Sequence, residues 1–198
     1  GYRATWEIKN DSLFLIKIQK GCYNKVPEYF NLKKEFNAER VYANWFTGKL
    51  LAPNGKQIHY VHSGYDSFYK TELEFNIKKG DLIEYSEYNN SKSYKSIYTE
   101  NQDSLVNFIY SNINWDSIPN LSNKSERVYV SIQSGENRKP DSIEIVKKSD
   151  IEILNREAIR VISLLPEWDV YYRRGEIHKM KWAVPVIFSE SRRRKYAR

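Results

Sequence analysis

Apolar and polar side chains alternate through the first eighty residues, the period of two that a half-buried strand requires. Tyr2, Ala4, Trp6 and Ile8 share one face, Asn10 to Ser12 make a turn, and Leu13 to Ile18 returns as a more fully buried strand. Val41, Ala43 and Trp45 alternate again. Leu50 and Leu51 then run into Pro53, Asn54 and Gly55, whose φ preferences predict a tight reversal, with Ile58, Tyr60 and His62 on the returning strand. Trp6-Glu-Ile-Lys-Asn-Asp-Ser-Leu13 is echoed by Phe75-Asn-Ile-Lys-Lys-Gly-Asp-Leu82. Two copies fall short of the three that a stacked solenoid needs, so the echo predicts two hairpins with the same turn chemistry. A β-rich antiparallel domain over residues 1–100 is expected.

From Ser86 to Asn101 the composition turns to Ser, Asn, Lys, Tyr and Glu with little apolar periodicity, which predicts a connection between domains. Beyond it the period changes. Leu105, Phe108, Ile109 and Ile113 recur at helical spacing with Asp103 as the cap, and Trp115 and Pro119 close that helix. Val128, Val130 and Ile132, then Ile143 and Ile145, form a hairpin across the polar turn of residues 134–140. Ser149 and Glu152 have the spacing of a capping box, and Leu154, Ala158, Val161, Ile162 and Leu165 make one stripe of a helix that Pro166 ends. Trp182, Val184, Val186 and Phe188 alternate in a last strand. Pro185 within it removes a ladder donor, which predicts an edge position. The fold class is therefore α+β: a β-rich domain over 1–100, an α-β-β-α-β domain with a three-stranded antiparallel sheet over 101–190, and a basic tail over 191–198.

Charge alters the picture less than its total implies. The chain has 198 residues and a net charge of +7, but Arg192, Arg193, Arg194, Lys195 and Arg198 supply five of it, so +7 less five leaves about +2 for the rest. That is no footprint for a nucleic-acid duplex, and nucleic acid is not the expected partner. A mean hydropathy of -0.72 with 40% hydrophobic residues describes a folded chain with packed cores. No apolar run approaches the roughly 20 residues that cross a bilayer. Cys22 is the single cysteine, which rules out an internal disulfide. Because residue 2 already lies in a strand pattern, an export or anchor segment upstream is expected.

The order of elements over residues 103–190, and particular residues within it, resemble the TonB C-terminal domain family. The likeness is carried by Arg127-Val-Tyr-Val-Ser-Ile132, Ile143-Glu-Ile-Val146, Leu154-Asn-Arg-Glu-Ala-Ile-Arg-Val161, Leu164-Leu-Pro-Glu-Trp168 and Val184-Pro-Val-Ile-Phe188. The N-terminal part is similar to uncharacterised envelope proteins around Ala43-Asn-Trp-Phe-Thr-Gly48. What the resemblance implies is a non-enzymatic, exported protein of the periplasm or cell envelope. Its last strand would capture an extended peptide by strand addition, the partner being a segment of an outer-membrane receptor or transporter. The edge residues carried over are Lys179, Lys181, Ala183, Pro185 and Ile187, with Lys179, Lys181 and Ala183 facing outward. No cofactor is expected, and a homodimer is a further expectation.

Other chemistry finds little footing. His59 and His62 stand three apart on a strand and so point to opposite faces, which disfavours one metal ion taking both, and His178 is distant in sequence. Ser63-Gly64 lacks a nucleophile-elbow pattern, Cys22 has no local histidine, and the carboxylates are scattered among lysines. Two competing readings remain. In one the C-terminal module only packs on the N-terminal domain as a scaffold or adaptor. In the other, aromatic faces together with the basic tail bind carbohydrate or nucleic acid, with Trp6, Trp45 and Tyr65 the side chains in question.

Overall fold

A computed structural model describes residues 2–20 and 28–197. The chain is α+β and divides into two compact units. One comprises residues 1–57 and 69–89; the other comprises 58–68 and 90–198. The sequence reading placed a boundary near residue 100. The contacts instead assign residues 90–101, and the segment 58–68, to the second unit.

The first unit is a seven-stranded sheet built from β1 (Tyr2–Lys9), β2 (Ser12–Lys20), β3 (Glu28–Phe30), β4 (Val41–Tyr42), β5 (Gly48–His59), β6 (Phe68–Lys78) and β7 (Asp81–Asn89), with helix α1 (Leu32–Phe36) between β3 and β4. Its main path runs β1-β2-β7-β6-β5, and β3 and β4 pair with β2. The repeated sequence becomes two hairpins with two-residue turns. Asn10 and Asp11 sit at φ 50 and 57, and Lys79 and Gly80 at φ 50 and 87, the left-handed pairs that match strand twist. The hairpins meet reciprocally: Leu13 N–H donates to the Gly80 carbonyl at 2.7 Å, and Leu82 N–H to the Asp11 carbonyl at 2.8 Å.

Two expectations for this unit fail. Strand β2 buries Leu13 and Leu15 but leaves Ile16 and Ile18 half-buried, so it alternates rather than lying fully inside. The reversal at Pro53–Gly55 is absent, and β5 runs through it from Gly48 to His59. Gly55 takes φ +73 within the strand while Thr71 Oγ1 donates to the Asn54 carbonyl at 2.9 Å, so the turn residues make a local irregularity. A proline is tolerated there because β5 is an edge strand. The chain reverses later, where Asp66 N–H closes on the Ser63 carbonyl at 3.0 Å.

The second unit carries α2 (Ile97–Glu100), α3 (Gln102–Asn112), β8 (Glu126–Ser134), β9 (Pro140–Lys147), α4 (Glu152–Ser163), β10 (Tyr171–Arg173), β11 (Glu176–His178), β12 (Lys181–Phe188) and α5 (Glu190–Tyr196). Its main sheet is antiparallel and three-stranded, as the sequence predicts, and runs in the order β12-β8-β9. Val128, Val130 and Ile132 of β8 pack with Leu154, Ala158, Val161 and Ile162 of α4 and with Val184, Val186 and Phe188 of β12 in one core. All but Val184 are wholly buried, and Val184 is 6% exposed.

The caps differ from those expected. Asn101, not Asp103, caps α3, its side chain accepting from Asp103 N–H at 2.9 Å. At α4 the Ser149–Glu152 box is replaced by a longer loop. Ser149 Oγ accepts from Ile151 N–H at 3.2 Å rather than from Glu152 and donates to Glu126, while Asn155 accepts from Ser149 N–H at 2.8 Å and donates to the Ser149 carbonyl at 2.9 Å. Arg192, Arg193, Arg194 and Lys195 lie in α5, capped by Ser189, rather than in a loose tail. Arg193 donates to the Ile118 and Pro119 carbonyls at 2.9 and 2.8 Å.

Candidate functional site

Strand β12 lies at the rim of its sheet and, among the described residues, pairs only with β8, in an unbroken register from Lys181↔Gln133 to Phe188↔Glu126. An antiparallel strand turns the main-chain groups of alternate residues to opposite sides. Which set faces outward follows from Ile187, whose N–H donates to Tyr110 Oη at 3.0 Å instead of to β8. Lys181, Ala183 and Pro185 therefore present their main chain outward as well. Their side chains are exposed, whereas Val184, Val186 and Phe188 are buried and Trp182 is half-buried.

The outward edge is divided along its length. At the Ile187 end it is closed by Tyr110, which is 2% exposed, lies beneath the Arg192 guanidinium at 4.0 Å, and packs on Tyr196 with ring centroids 5.6 Å apart. Burial pushes the Tyr110 phenol above its ordinary pKa, so it stays a neutral hydrogen-bonding group at physiological pH. Pro185 has no N–H to offer. Lys181 and Ala183 keep both groups, and among the described residues nothing from the outer side bonds them. The remaining candidates separate from this edge: Lys179 precedes the strand by two residues. Lys181 pairs with Glu144 at 3.6 Å in an exposed ion pair.

The opposite rim is less regular. Strand β9 departs from register with β8 at Tyr129/Val130 and again at Gln133/Ser134, irregularities that twist an edge away from further pairing.

Beside the open half of β12 is a cavity of about 300 Å³. Tyr98, Leu105, Trp168, Trp182 and Pro185 give it an apolar wall, and Thr99 and Gln102 add polar groups. The wall is held by the segment that the sequence reading treats as a connection. Glu167 accepts from Tyr94 Oη, from Ser96 Oγ at 2.8 Å and from Ile97 N–H at 3.1 Å, which places a carboxylate at the start of α2. Hydrogen bonding from Tyr94, above all, holds that carboxyl below its ordinary pKa. Asp169, wholly buried, accepts from Ser96 N–H at 2.7 Å, Thr99 Oγ1 at 2.5 Å and Tyr171 Oη at 2.7 Å. These bonds fix α2, and with it Tyr98 and Thr99, against the strand that follows α4.

The indole N–H groups of Trp168 and Trp182 are shielded from solvent and meet no acceptor, so the rings line the cavity with their apolar surface.

Histidines enter as packing groups. His59 stacks on Tyr171 with centroids 4.7 Å apart, and its Nδ1 lies 3.3 Å from Tyr171 Oη. It meets Trp182 edge-on at 5.7 Å. Burial lowers its pKa, partly countered by Asp169. His62 Nδ1 engages Tyr60 Oη at 2.8 Å, and His178 packs on Phe68. Cys22 lies outside the described residues.

Of the aromatic candidates, Trp6 and Trp45 belong to the first unit and Tyr65 to the second. Trp6 tilts against Phe46, 6.4 Å between centroids, and Trp45, 57% exposed, lies in the turn closed by Phe46 N–H on the Ala43 carbonyl. Tyr65 is 91% exposed and belongs to the second unit. None of the three lines the larger concavity of about 560 Å³ in the first unit, which Tyr2, Ile18, Lys20 and Phe30 help to form. Among the described residues no helix is long and apolar enough to cross a membrane.

Sequence reasoning found the edge strand and its inward residues but missed Tyr110 as its cover and the cavity beside it. Pro185 signalled the edge; the cavity depends on α2, whose Ser96 cap is one more serine in a polar stretch. Compared with protein-family models, with curated proteins and with solved structures, the chain matches none.

Proposed function

We propose that residues 90–198 form a binding module, without catalytic chemistry of its own, that captures an extended peptide as a fourth strand beside β12. The observation that carries this reading is the divided edge. Regular pairing with β8 leaves the main chain of Lys181 and Ala183 open, next to a cavity able to receive side chains from the docked strand. Main-chain pairing supplies affinity and the cavity supplies selection. The residues shared with the TonB C-terminal domain family point to a segment of an outer-membrane receptor or transporter as the peptide, and to the periplasm or cell envelope as the place.

Titration of the isotopically labelled chain with peptides from receptor N-termini, followed by amide shifts, tests it. Shifts should concentrate at residues 181–185, stop short of Ile187, and leave β9 still. A response centred on β9, or none along β12, would rule the reading out. The scaffold reading predicts no response to any peptide.

A further inference from the structure

We infer that Asn54 is a site of spontaneous covalent modification, at which the side-chain amide is converted through a cyclic imide to aspartate and isoaspartate. The inference goes beyond the peptide-docking reading and does not depend on it. The reaction needs a main-chain nitrogen beside the side-chain carbonyl of the residue before it, and room for the two to close a ring. Asn54 is the one asparagine in the chain that glycine follows, so no Cβ crowds the nitrogen it faces. The Gly55 N–H donates to Asn54 Oδ1 at 3.0 Å. That contact holds the nitrogen beside the carbonyl it would attack, the positioning that makes ring closure fast.

The surrounding fold leaves the pair open to solvent. Both residues are exposed, and they lie in β5, an edge strand of the first unit. Gly55 takes φ +73 inside that strand, which breaks the regular pleat. A Cβ there would come within 3.2 Å of Thr71 Oγ1, so both the φ and the space favour glycine. Asn155 and Asn90 show the protected alternative. Asn155 is bound through its oxygen and its nitrogen to Ser149, and Asn90 is wholly buried with its oxygen accepting from Gly175 N–H. In each of these the next residue carries a side chain.

The chemistry is complete with water alone as co-reactant. Solvent hydroxide removes the Gly55 amide proton, and the nitrogen adds to Asn54 Cγ. The tetrahedral carbon takes up a proton and expels ammonia, leaving an imide between the two residues. Water then opens the imide at one of its two carbonyls. Opening at Cγ gives aspartate with the main chain as before. Opening at the Asn54 main-chain carbonyl, which Thr71 Oγ1 holds at 2.9 Å, frees that carbonyl as a carboxylate and gives isoaspartate, with one more carbon in the backbone of β5. Either product adds a negative charge to the edge strand.

The test incubates the full chain and a blocked peptide of residues 51–57 under the same mildly alkaline conditions and follows each by mass after digestion. The fragment with Asn54 and Gly55 should gain the mass difference of OH over NH₂, with isoaspartate at residue 54. Its rate should lie within about fivefold of the peptide's, since the fold neither buries the pair nor draws it into a regular pleat. The rate should rise with pH. Asn54→Gln, whose closure needs a larger ring, should abolish the gain in the folded chain. A native chain that reacts more than about fivefold slower than the peptide would overturn the inference, because the fold would then protect the site. So would a gain that persists in Asn54→Gln, or one that appears first at another asparagine.

Discussion

Tyr110→Phe isolates one atom. The phenol oxygen accepts the Ile187 N–H at 3.0 Å, while the ring keeps its place under Arg192 at 4.0 Å and against Tyr196. Removing the oxygen leaves the amide with no protein partner. An unpaired buried donor costs about 1–3 kcal/mol, and because Ile187 is only half-buried, water recovers part of it. A net loss of about 1.4 kcal/mol corresponds to a tenfold rise in local opening. Native-state amide exchange reads this directly. Ile187 should exchange about tenfold faster, whereas Val186 and Phe188, whose amides face β8 in the same unbroken ladder, should barely change. An unaltered Ile187 would refute the assignment of the odd-numbered residues to the outer side. A common rise at 186, 187 and 188 would mean general loosening and refute it too.

Two further outcomes test other parts of the chain. Gly80 has φ +87, and a Cβ there would lie 2.9 Å from the Ala43 main chain, whereas Gly64 at φ +50 has nothing within 4 Å. Gly80→Ala should therefore cost about 2 kcal/mol or more and Gly64→Ala about 1 kcal/mol or less in urea unfolding, and equal costs would contradict the close approach. Burial alone would raise the Glu157 carboxyl, but hydrogen bonds from Arg160 and from Asn114 N–H outweigh it and hold the pKa below its ordinary 4.5. A lowered carboxyl stabilises the fold above about 4.5, and that stabilisation is lost as pH falls through the folded value. Glu157→Gln should thus lower the urea midpoint more at pH 7 than at pH 3; a deficit that persists undiminished at pH 3 would count against the ionic account.

What could be read from the sequence was whatever local period and local turn chemistry decide. Val128, Val130 and Ile132 must face one way on a strand, and the Leu154 to Leu165 stripe must face one way on a helix, so the three-stranded sheet and its covering helix were legible. So were the twin hairpins, because Asn10, Asp11 and Gly80 accept left-handed φ at low cost. Pro53-Asn54-Gly55 misled because the same residues serve a reversal or an irregularity within an edge strand, and the choice is made by pairing with β6. The polar stretch before α2 misled for a related reason. Ser96, Tyr94 and Thr99 gain their roles only through Glu167 and Asp169, some seventy residues away, and no period records a partner at that distance.

The same long-range bonding explains why one strand can be both protected and available. A bare, regular edge invites pairing with any extended chain, and proteins blunt such edges with proline, charge or a covering element. Strand β12 carries Pro185 near its middle, Tyr110 and α5 over its far end, and Lys181 at its start. Had protection been the sole requirement, the stretch from Lys181 to Ala183 would be the natural place for a second cover, since its register with β8 is unbroken and its donors are free. Instead that stretch borders a cavity whose wall is held by Asp169 and Glu167. Edge protection accounts for the covered half of β12, and a docked strand with side chains in that cavity would account for the open half.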